Sequence, residues 1–419
     1  MIISFSVKNF YSIKDRVTLS FEATTSKDLE EYYVVNYPKE LRILKLGVLY
    51  GANASGKTTV LKALSFLRSM VLEPFVSKVD KFNYSPFLFI KDKSEKNSFF
   101  SIEFVQNQIK YLYQVEFNTN SIVSESLYFF KPNKALIFKR DTNTKKQLSE
   151  IEFGSKIKIS KESKVALTGN TLWNNTVLAG YLKTNFESNE LQEVVSWFKD
   201  RLQPVIFPQS NLVADISSMI EKRELSKVNI IEILRKADFG ISDIVIEKSG
   251  VSKDVLINNT IQTFQERIIK FQHSVDGVDY SLNYNDESAG TKRYYQFSGL
   301  LTLLLKNRWI VSIDELETSL HPDLIKHFLL TFLVNSEESQ LITTTHYREL
   351  LLEKDILRND VIWFTEKKEN SSTDLFSLSD FNSSVIRNTS SVYNAYKIGK
   401  LGAVPDLIDY YVDLEDAKE

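Results

Sequence analysis

The chain has 419 residues, with 52 Lys and Arg against 54 Asp and Glu and a net charge of −2. That balance excludes a generic polyanion binder and leaves only local patches for nucleic acid. The absence of cysteine excludes disulfides, thiolate metal sites and cysteine nucleophiles, and the four scattered histidines (His273, His321, His327, His346) lack zinc-site spacing.

Residues 1–25 read as two strands, Ile2–Val7 and Val17–Phe21, without the basic segment and apolar core of a signal peptide. No stretch is apolar for long enough to span a bilayer, so a cytoplasmic protein with no membrane partner is expected. After a polar connection over 26–42, the apolar run Ile43–Tyr50 reads as a buried strand. It leads into Gly51-Ala-Asn-Ala-Ser-Gly-Lys-Thr-Thr59, which holds the P-loop pattern Gly51-x4-Gly56-Lys57-Thr58. A helix follows over Thr58–Met70, with Val60, Leu61, Leu64 and Leu67 at helical spacing.

Strand, Gly-rich turn and helix together aim backbone N–H groups and a helix N-terminus at a phosphate. Gly51 and Gly56 let the backbone wrap close. Asn53, Ala54, Ser55 and Thr59 complete the cradle, Lys57 carries charge to the β- and γ-phosphates, and Thr58 offers a hydroxyl to Mg²⁺. The competing reading is a chance Gly-rich turn, which the fixed positions and their flanks disfavour.

From Asn83 to Ser160 the pattern becomes an antiparallel meander, with strands at Phe99–Phe104, Lys110–Phe117, Ile122–Phe130 and Ala135–Lys139. Residues 131–164 hold ten Lys or Arg against four Asp or Glu. This is either a nucleic-acid or partner patch or a solvated edge kept from aggregating by lysine, and the second is favoured. Residues 165–236 read as mainly helical, with no sustained heptads. Strand signals return at Ile244–Glu247 and Arg267–Phe271.

Beyond them, Glu287-Ser-Ala-Gly-Thr291 leads into a helix over Tyr294–Leu305. The apolar strand Trp309–Ile313 ends in Asp314-Glu315, the strand Gln340–Thr345 ends in His346, and Val361–Phe364 and Leu375–Ser377 are further strands. The expected organisation is an N-terminal core over 1–82, a β arm over 83–164, a helical insertion over 165–236, the rest of the core over 237–405 and an acidic tail over 406–419.

An apolar strand ending in two acids fits a Walker B element: Asp314 for Mg²⁺ and Glu315 as general base for the attacking water. Asp314 could instead cap a following helix. His346 could hydrogen-bond the γ-phosphate or be structural. Ser288 and Gly290 offer a hydroxyl and N–H groups at a helix start, either as a plain N-cap or as a second anion device. Two chains packed head-to-tail would give that second device a use, each Ser288 turn covering the γ-phosphate held by the other chain.

The P-loop, Glu287-Ser-Ala-Gly-Thr291, Asp314-Glu-Leu-Glu-Thr-Ser-Leu-His-Pro322 and Thr344-Thr-His346 occur in the order of ABC-type ATPase heads, which the chain resembles. Ile3-Ser-Phe-Ser-Val-Lys-Asn-Phe10 is similar to the start of SMC-type and recombination-type heads. The nearest resemblance is to bacterial ABC-like ATPases of the OLD/RloA/PARIS kind, which act in phage defence; the tail Tyr396-x2-Gly399-x2-Gly402-x2-Pro405 is similar to theirs. The resemblance implies an α/β fold, an ABC-type head with a P-loop mixed sheet, an antiparallel β subdomain and a helical insertion. It implies ATP and Mg²⁺ as ligands, Lys57, Glu315 and His346 as catalytic groups, and Thr58 and Asp314 at the metal. It also implies Ser288 and Gly290 as the contact in trans, and Leu316 to Leu320 as the D-loop at a homodimer seam. The signature departs from the family's Ser-Gly-Gly-Gln, and the Gln-loop is not obvious, with Gln209 the best candidate. The OLD nucleases carry a Toprim domain after the ATPase, for which the stretch beyond His346 is too short. A separate effector nuclease, triggered by DNA or a phage product, is therefore expected; a RecF/SMC-like DNA-binding ATPase is the alternative.

Overall fold

The computed structural model describes residues 1–89, 97–257, 260–381 and 391–405, with the backbone alone over 249–266. The acidic tail expected over 406–419 lies outside the described residues.

In chain order, β1 (Ile2–Lys8) and β2 (Val17–Ser20) precede α1 (Glu30–Tyr33), the hairpin β3 (Val34–Tyr37) and β4 (Leu41–Leu44), β5 (Leu46–Gly51) and α2 (Lys57–Leu72). The meander is β6 (Ser98–Gln106), β7 (Ile109–Phe117), β8 (Ile122–Phe130), β9 (Lys134–Asn143) and β10 (Leu148–Phe153). Helices α3 (Lys161–Asn170), α4 (Val177–Tyr181), α5 (Asn189–Ser196), α6 (Val213–Glu221) and α7 (Lys227–Lys236) follow. Then come β11 (Ile241–Ile257), β12 (Thr260–Val275), β13 (Val278–Asn283), α8 (Ala289–Lys306), β14 (Ile310–Ile313), α9 (Pro322–Asn335) and β15 (Gln340–Thr344). The last elements among the described residues are β16 (Ile362–Lys367), β17 (Thr373–Ser377) and α10 (Val392–Lys397).

The architecture is mixed α/β. A five-stranded sheet has the order β14-β15-β5-β16-β17, parallel except for the antiparallel edge strand β17. Every residue of β5, β14 and β15 is buried, as expected for a sheet covered on both faces. A seven-stranded antiparallel sheet has the order β10-β9-β8-β7-β6-β1-β2, and a third sheet joins β11, β12 and β13.

Helix α2 bridges the first two sheets. Its Phe66 ring packs against Phe10, Tyr84, Phe100 and Phe117 at centroid distances of 5.4, 5.3, 6.2 and 5.8 Å, while Val60, Leu61, Leu64 and Leu67 are buried. The buried Gln340 amide adds a polar clasp: its Oε1 accepts from Ile2 N–H at 2.8 Å, and its Nε2 donates to the carbonyls of Ile2 and Leu44 at 3.1 and 2.9 Å. A side chain thus does the work of backbone pairing where β1, β4 and β15 meet.

Several boundaries differ from the sequence reading for definite reasons. The run Ile43–Tyr50 is split between β4 and β5 at Lys45, whose buried ammonium donates to the carbonyls of Leu333 and Ser336, both at 2.8 Å. The polar connection over 26–42 contains α1, β3 and the start of β4. Strand β10 and the fully exposed β13 are additional to the expected strands. Within 165–236, Leu202 and Ile206 form parallel bridges to Ile310 and Ile313, so this segment extends the five-stranded sheet beyond β14.

The charge-rich stretch 131–164 is not uniformly a surface feature. Arg140 is fully buried beside the buried Glu125, N to O 3.5 Å. Glu125 also accepts from Tyr113 O–H and Val177 N–H at 2.8 Å each, and Arg140 donates to the Trp173 carbonyl at 3.1 Å. The pair fastens the antiparallel sheet to the turn that starts α4. Replacing Glu125 with Ala strands the guanidinium, and is expected to lower stability by about 3–5 kcal/mol in chemical denaturation.

Candidate phosphate-binding site

Four parallel strands end on one edge of the five-stranded sheet, the usual place for a ligand in α/β proteins. β5 delivers the P-loop, β14 delivers Asp314-Glu315, β15 delivers Thr345-His346, and β16 ends at Lys367.

The P-loop backbone depends on its glycines. Gly56 has φ +106°, and a Cβ there would lie 2.1 Å from Thr373 Oγ1; a Cβ on Gly51 would lie 2.4 Å from Thr365 Oγ1. Ala54 sits in the left-handed region at φ 59°. Hydroxyls from distant strands brace the loop. Ser55 Oγ and Thr365 Oγ1 are 2.6 Å apart, Thr373 Oγ1 donates to the Ser55 carbonyl at 2.9 Å, and Ser12 Oγ lies 3.0 Å from Thr59 Oγ1.

Lys57 is buried, and its ammonium donates to the carbonyls of Gly51 and Ala52 at 2.9 and 3.1 Å. Burial lowers its pKa, against the opposing pull of Asp314, Glu317 and Glu315. Thr58 Oγ1 donates to Asp314, 3.1 Å from Oδ1 and 2.9 Å from Oδ2. Between them in the sheet, Thr344 Oγ1 donates to Asp314 Oδ1 at 2.7 Å and accepts from Glu315 N–H at 2.8 Å. Glu315 has φ 52°, so the chain turns sharply as it leaves β14. Thr58 and Asp314 present only oxygen donors, which suits a hard cation such as Mg²⁺ that retains waters and takes phosphate oxygens.

Glu317 organises the histidine turn. Its carboxylate accepts from Thr345 O–H at 2.7 Å and from His346 N–H at 2.6 Å. The His346 ring itself faces the cleft, its pKa lowered by partial desolvation and by the Lys57 ammonium. A cavity of about 530 Å³ is lined by Gly51, Asn53, Ser55, His346, Arg348 and the chain around Tyr396.

The structure therefore brings Gly51, Ser55, Gly56, Lys57, Thr58, Asp314, Glu315 and His346 to one edge. Asn53 and Ala54 are exposed at the tip of the loop, and Thr59 lies beside Ser12. Ser288 and Gly290 are not part of that cluster. Ser288 caps α8, accepting from Thr291 N–H at 3.0 Å, and a Cβ on Gly290 would lie 3.4 Å from the Ser319 carbonyl. Gln209 is exposed in the turn after Ile206, whose carbonyl accepts from Asp314 N–H at 2.8 Å. Ser12, Thr365 and Thr373 were not singled out by sequence, and Thr344 and Glu317 entered only inside longer motifs, with no role of their own. Lone hydroxyl residues give no signal until strands are paired. Thr344 alone had a usable one, near the end of the expected strand Gln340–Thr345 that leads into His346.

Gly56→Ala places a Cβ against Thr373 at a strained φ, and is expected to destabilise by about 1–3 kcal/mol. Thermal unfolding of Gly56→Ala alone and combined with Thr373→Ala checks this, with partial recovery expected in the double variant.

Residues 46–353, well over half of the chain, match the family model described as "AAA domain, putative AbiEii toxin, Type IV TA system". No curated protein matches the sequence. Among solved structures, similar chains include an SMC head bound to the C-terminal winged-helix domain of ScpA, with 14% identity, TM-score 0.44, and 90% of this chain and 99% of that chain covered. Another is the SMC head domain from Thermotoga maritima, with 11% identity, TM-score 0.41, and 90% and 98% covered. A third is an SMC head with an extended coiled coil bound to the C-terminal domain of ScpA, derived from Pyrococcus furiosus, with 12% identity, TM-score 0.44, and 90% and 97% covered. Among the described residues, no helix is long and apolar enough to cross a membrane.

Proposed function

Because the chain belongs to the AAA-domain family of that model, we propose that it binds ATP with Mg²⁺ and hydrolyses it, using nucleotide-dependent closure of a homodimer to control a separate effector. The observation that carries the ATPase reading is the contact of Thr58 with Asp314, which joins the P-loop to the strand-end carboxylate. Lys57, Gly51, Asn53, Ala54, Ser55, Gly56 and Thr59 hold the phosphates. Thr58 and Asp314 hold the metal, which supplies charge neutralisation and aligns the phosphate oxygens when bound. Glu315 takes the proton of the attacking water, and His346 steadies the terminal phosphate.

Two variants separate binding from hydrolysis. Lys57→Ala is expected to weaken ATP binding about 10-fold or more, measured by calorimetry, through loss of a charge-assisted contact. Glu315→Gln is expected to bind ATP normally while the turnover number falls about 10²–10⁴-fold, measured by phosphate release. Hydrolysis unchanged in Glu315→Gln would remove the general-base assignment.

The homodimer rests on Ser288 and Gly290. Their helix-start turn, capped by Ser288, lies outside the cluster at its own P-loop, and in a head-to-tail pair it would cover the nucleotide of the second copy. Glu315→Gln with ATP is expected to double in mass by light scattering, and the further change Ser288→Arg to remain a monomer. A monomer in both cases would discard the composite site.

The effector is a separate nuclease in anti-phage defence on the strength of the motif order and the tail pattern Tyr396-x2-Gly399-x2-Gly402-x2-Pro405. A RecF/SMC-like DNA-binding ATPase is the second reading. It draws on the exposed lysines Lys145, Lys146, Lys156 and Lys158 flanking the edge strand β10. Duplex DNA affinity that falls steeply with salt and drops when these lysines are replaced would favour it. Absence of such binding would favour the effector-control reading.

A further inference from the structure

The cavity beside the P-loop carries two permanent cations on its wall, Arg348 and Lys367, besides the His346 ring. Arg348 opens the short 3-10 turn Arg348–Leu352, two residues past His346, and lines the same cavity as Gly51, Ala52, Asn53 and Ser55. Among the described residues it has no carboxylate within ion-pair distance and no side-chain hydrogen bond. Its one contact is with the Tyr396 ring, the guanidinium carbon lying 5.6 Å from the ring centroid. Such a contact at a half-exposed position is weak and leaves the guanidinium donors unused.

The other charged groups facing the cavity do not compensate Arg348. Lys367 is a further cation on its wall, and the Glu366 carboxylate, on the same wall, accepts from Ala403 N–H at 3.1 Å and forms no ion pair with Arg348. Glu317 is taken up by Thr345 and His346. Tyr396 is itself fixed, its hydroxyl donating to the Ala403 carbonyl at 3.1 Å and its ring packed on Phe364 at 5.3 Å. The segment from Val392 to Pro405 is thus a strap that lines the cavity through Tyr396, Ala403, Val404 and Pro405, and Arg348 shares that cavity with the P-loop.

We propose that Arg348 is a second cation for the terminal phosphate of the nucleotide, resting on Tyr396 when that phosphate is absent and leaving it when the phosphate arrives. A planar guanidinium suits this task, because two parallel N–H groups match two phosphate oxygens. Its departure removes the cation from the Tyr396 face, so the strap registers whether a triphosphate or a diphosphate is held. The inference rests on the ATP-binding reading above and deepens it by assigning a residue that distinguishes the two nucleotides.

The test is the ratio of affinities for AMP-PNP and ADP, each with Mg²⁺, measured by calorimetry on the full chain and on Arg348→Ala and Arg348→Lys. Loss of a charged contact made only by the terminal phosphate is expected to weaken AMP-PNP about 10- to 100-fold in Arg348→Ala and to leave ADP unchanged, with partial recovery in Arg348→Lys. Hydrogen exchange of the strap is expected to differ between the AMP-PNP and ADP forms of the wild type and not between those of Arg348→Ala. If the wild type binds both nucleotides but Arg348→Ala weakens them equally or not at all, the assignment is overturned and the ATP-binding reading stands. If the wild type binds neither, both fall.

Discussion

The site depends on one carboxylate being shared. Asp314 accepts from Thr58 at the start of α2 and from Thr344 at the end of β15, so two hydroxyls from different elements meet on one acid. This is possible only because β14, β15 and β5 run parallel and in register, which puts the three strand ends at one level. An antiparallel neighbour would carry its C-terminal residues to the opposite edge. The topology of the sheet and the chemistry at its edge are therefore one constraint.

A second layer of the same constraint holds the P-loop from the other side. Thr365 on β16 and Thr373 on the antiparallel β17 contact Ser55, and Ser12 reaches Thr59 from the turn between β1 and β2. The loop is thus supported by both large sheets, with α2 bridging them through Phe66. A phosphate cradle built of exposed glycine-rich backbone would be costly to hold open on its own. Here, buried hydroxyls supply much of its order.

The parts of this arrangement that were legible in the sequence are those with a fixed local grammar. The P-loop spacing, an apolar strand ending in Asp314-Glu315, and a strand ending at His346 each carry their signal within about ten residues. The bracing hydroxyls carry none, because Ser12, Thr365 and Thr373 matter only after pairing brings them to the loop. Lys45 was a readable exception that was missed: a charge inside the run Ile43–Tyr50 marked the break between β4 and β5. Similarly, Val278 to Asn283 alternates apolar and polar residues as a strand should, yet it lies fully exposed in β13, where burial could not have signalled it. Arg140 shows the converse error in charge counting, since one of the ten cations of 131–164 is an interior group.

The bracing of the P-loop also sets an order of events in the making of the protein. Ser55 finds Thr365 across 310 residues and Thr373 across 318, and Thr58 finds Asp314 across 256. Contacts so distant along the chain are slow to form and come late in folding. During synthesis the loop is made early, but the strands that shape it emerge only near the end. A nascent chain therefore carries the phosphate-binding sequence before the strands that brace it have been made.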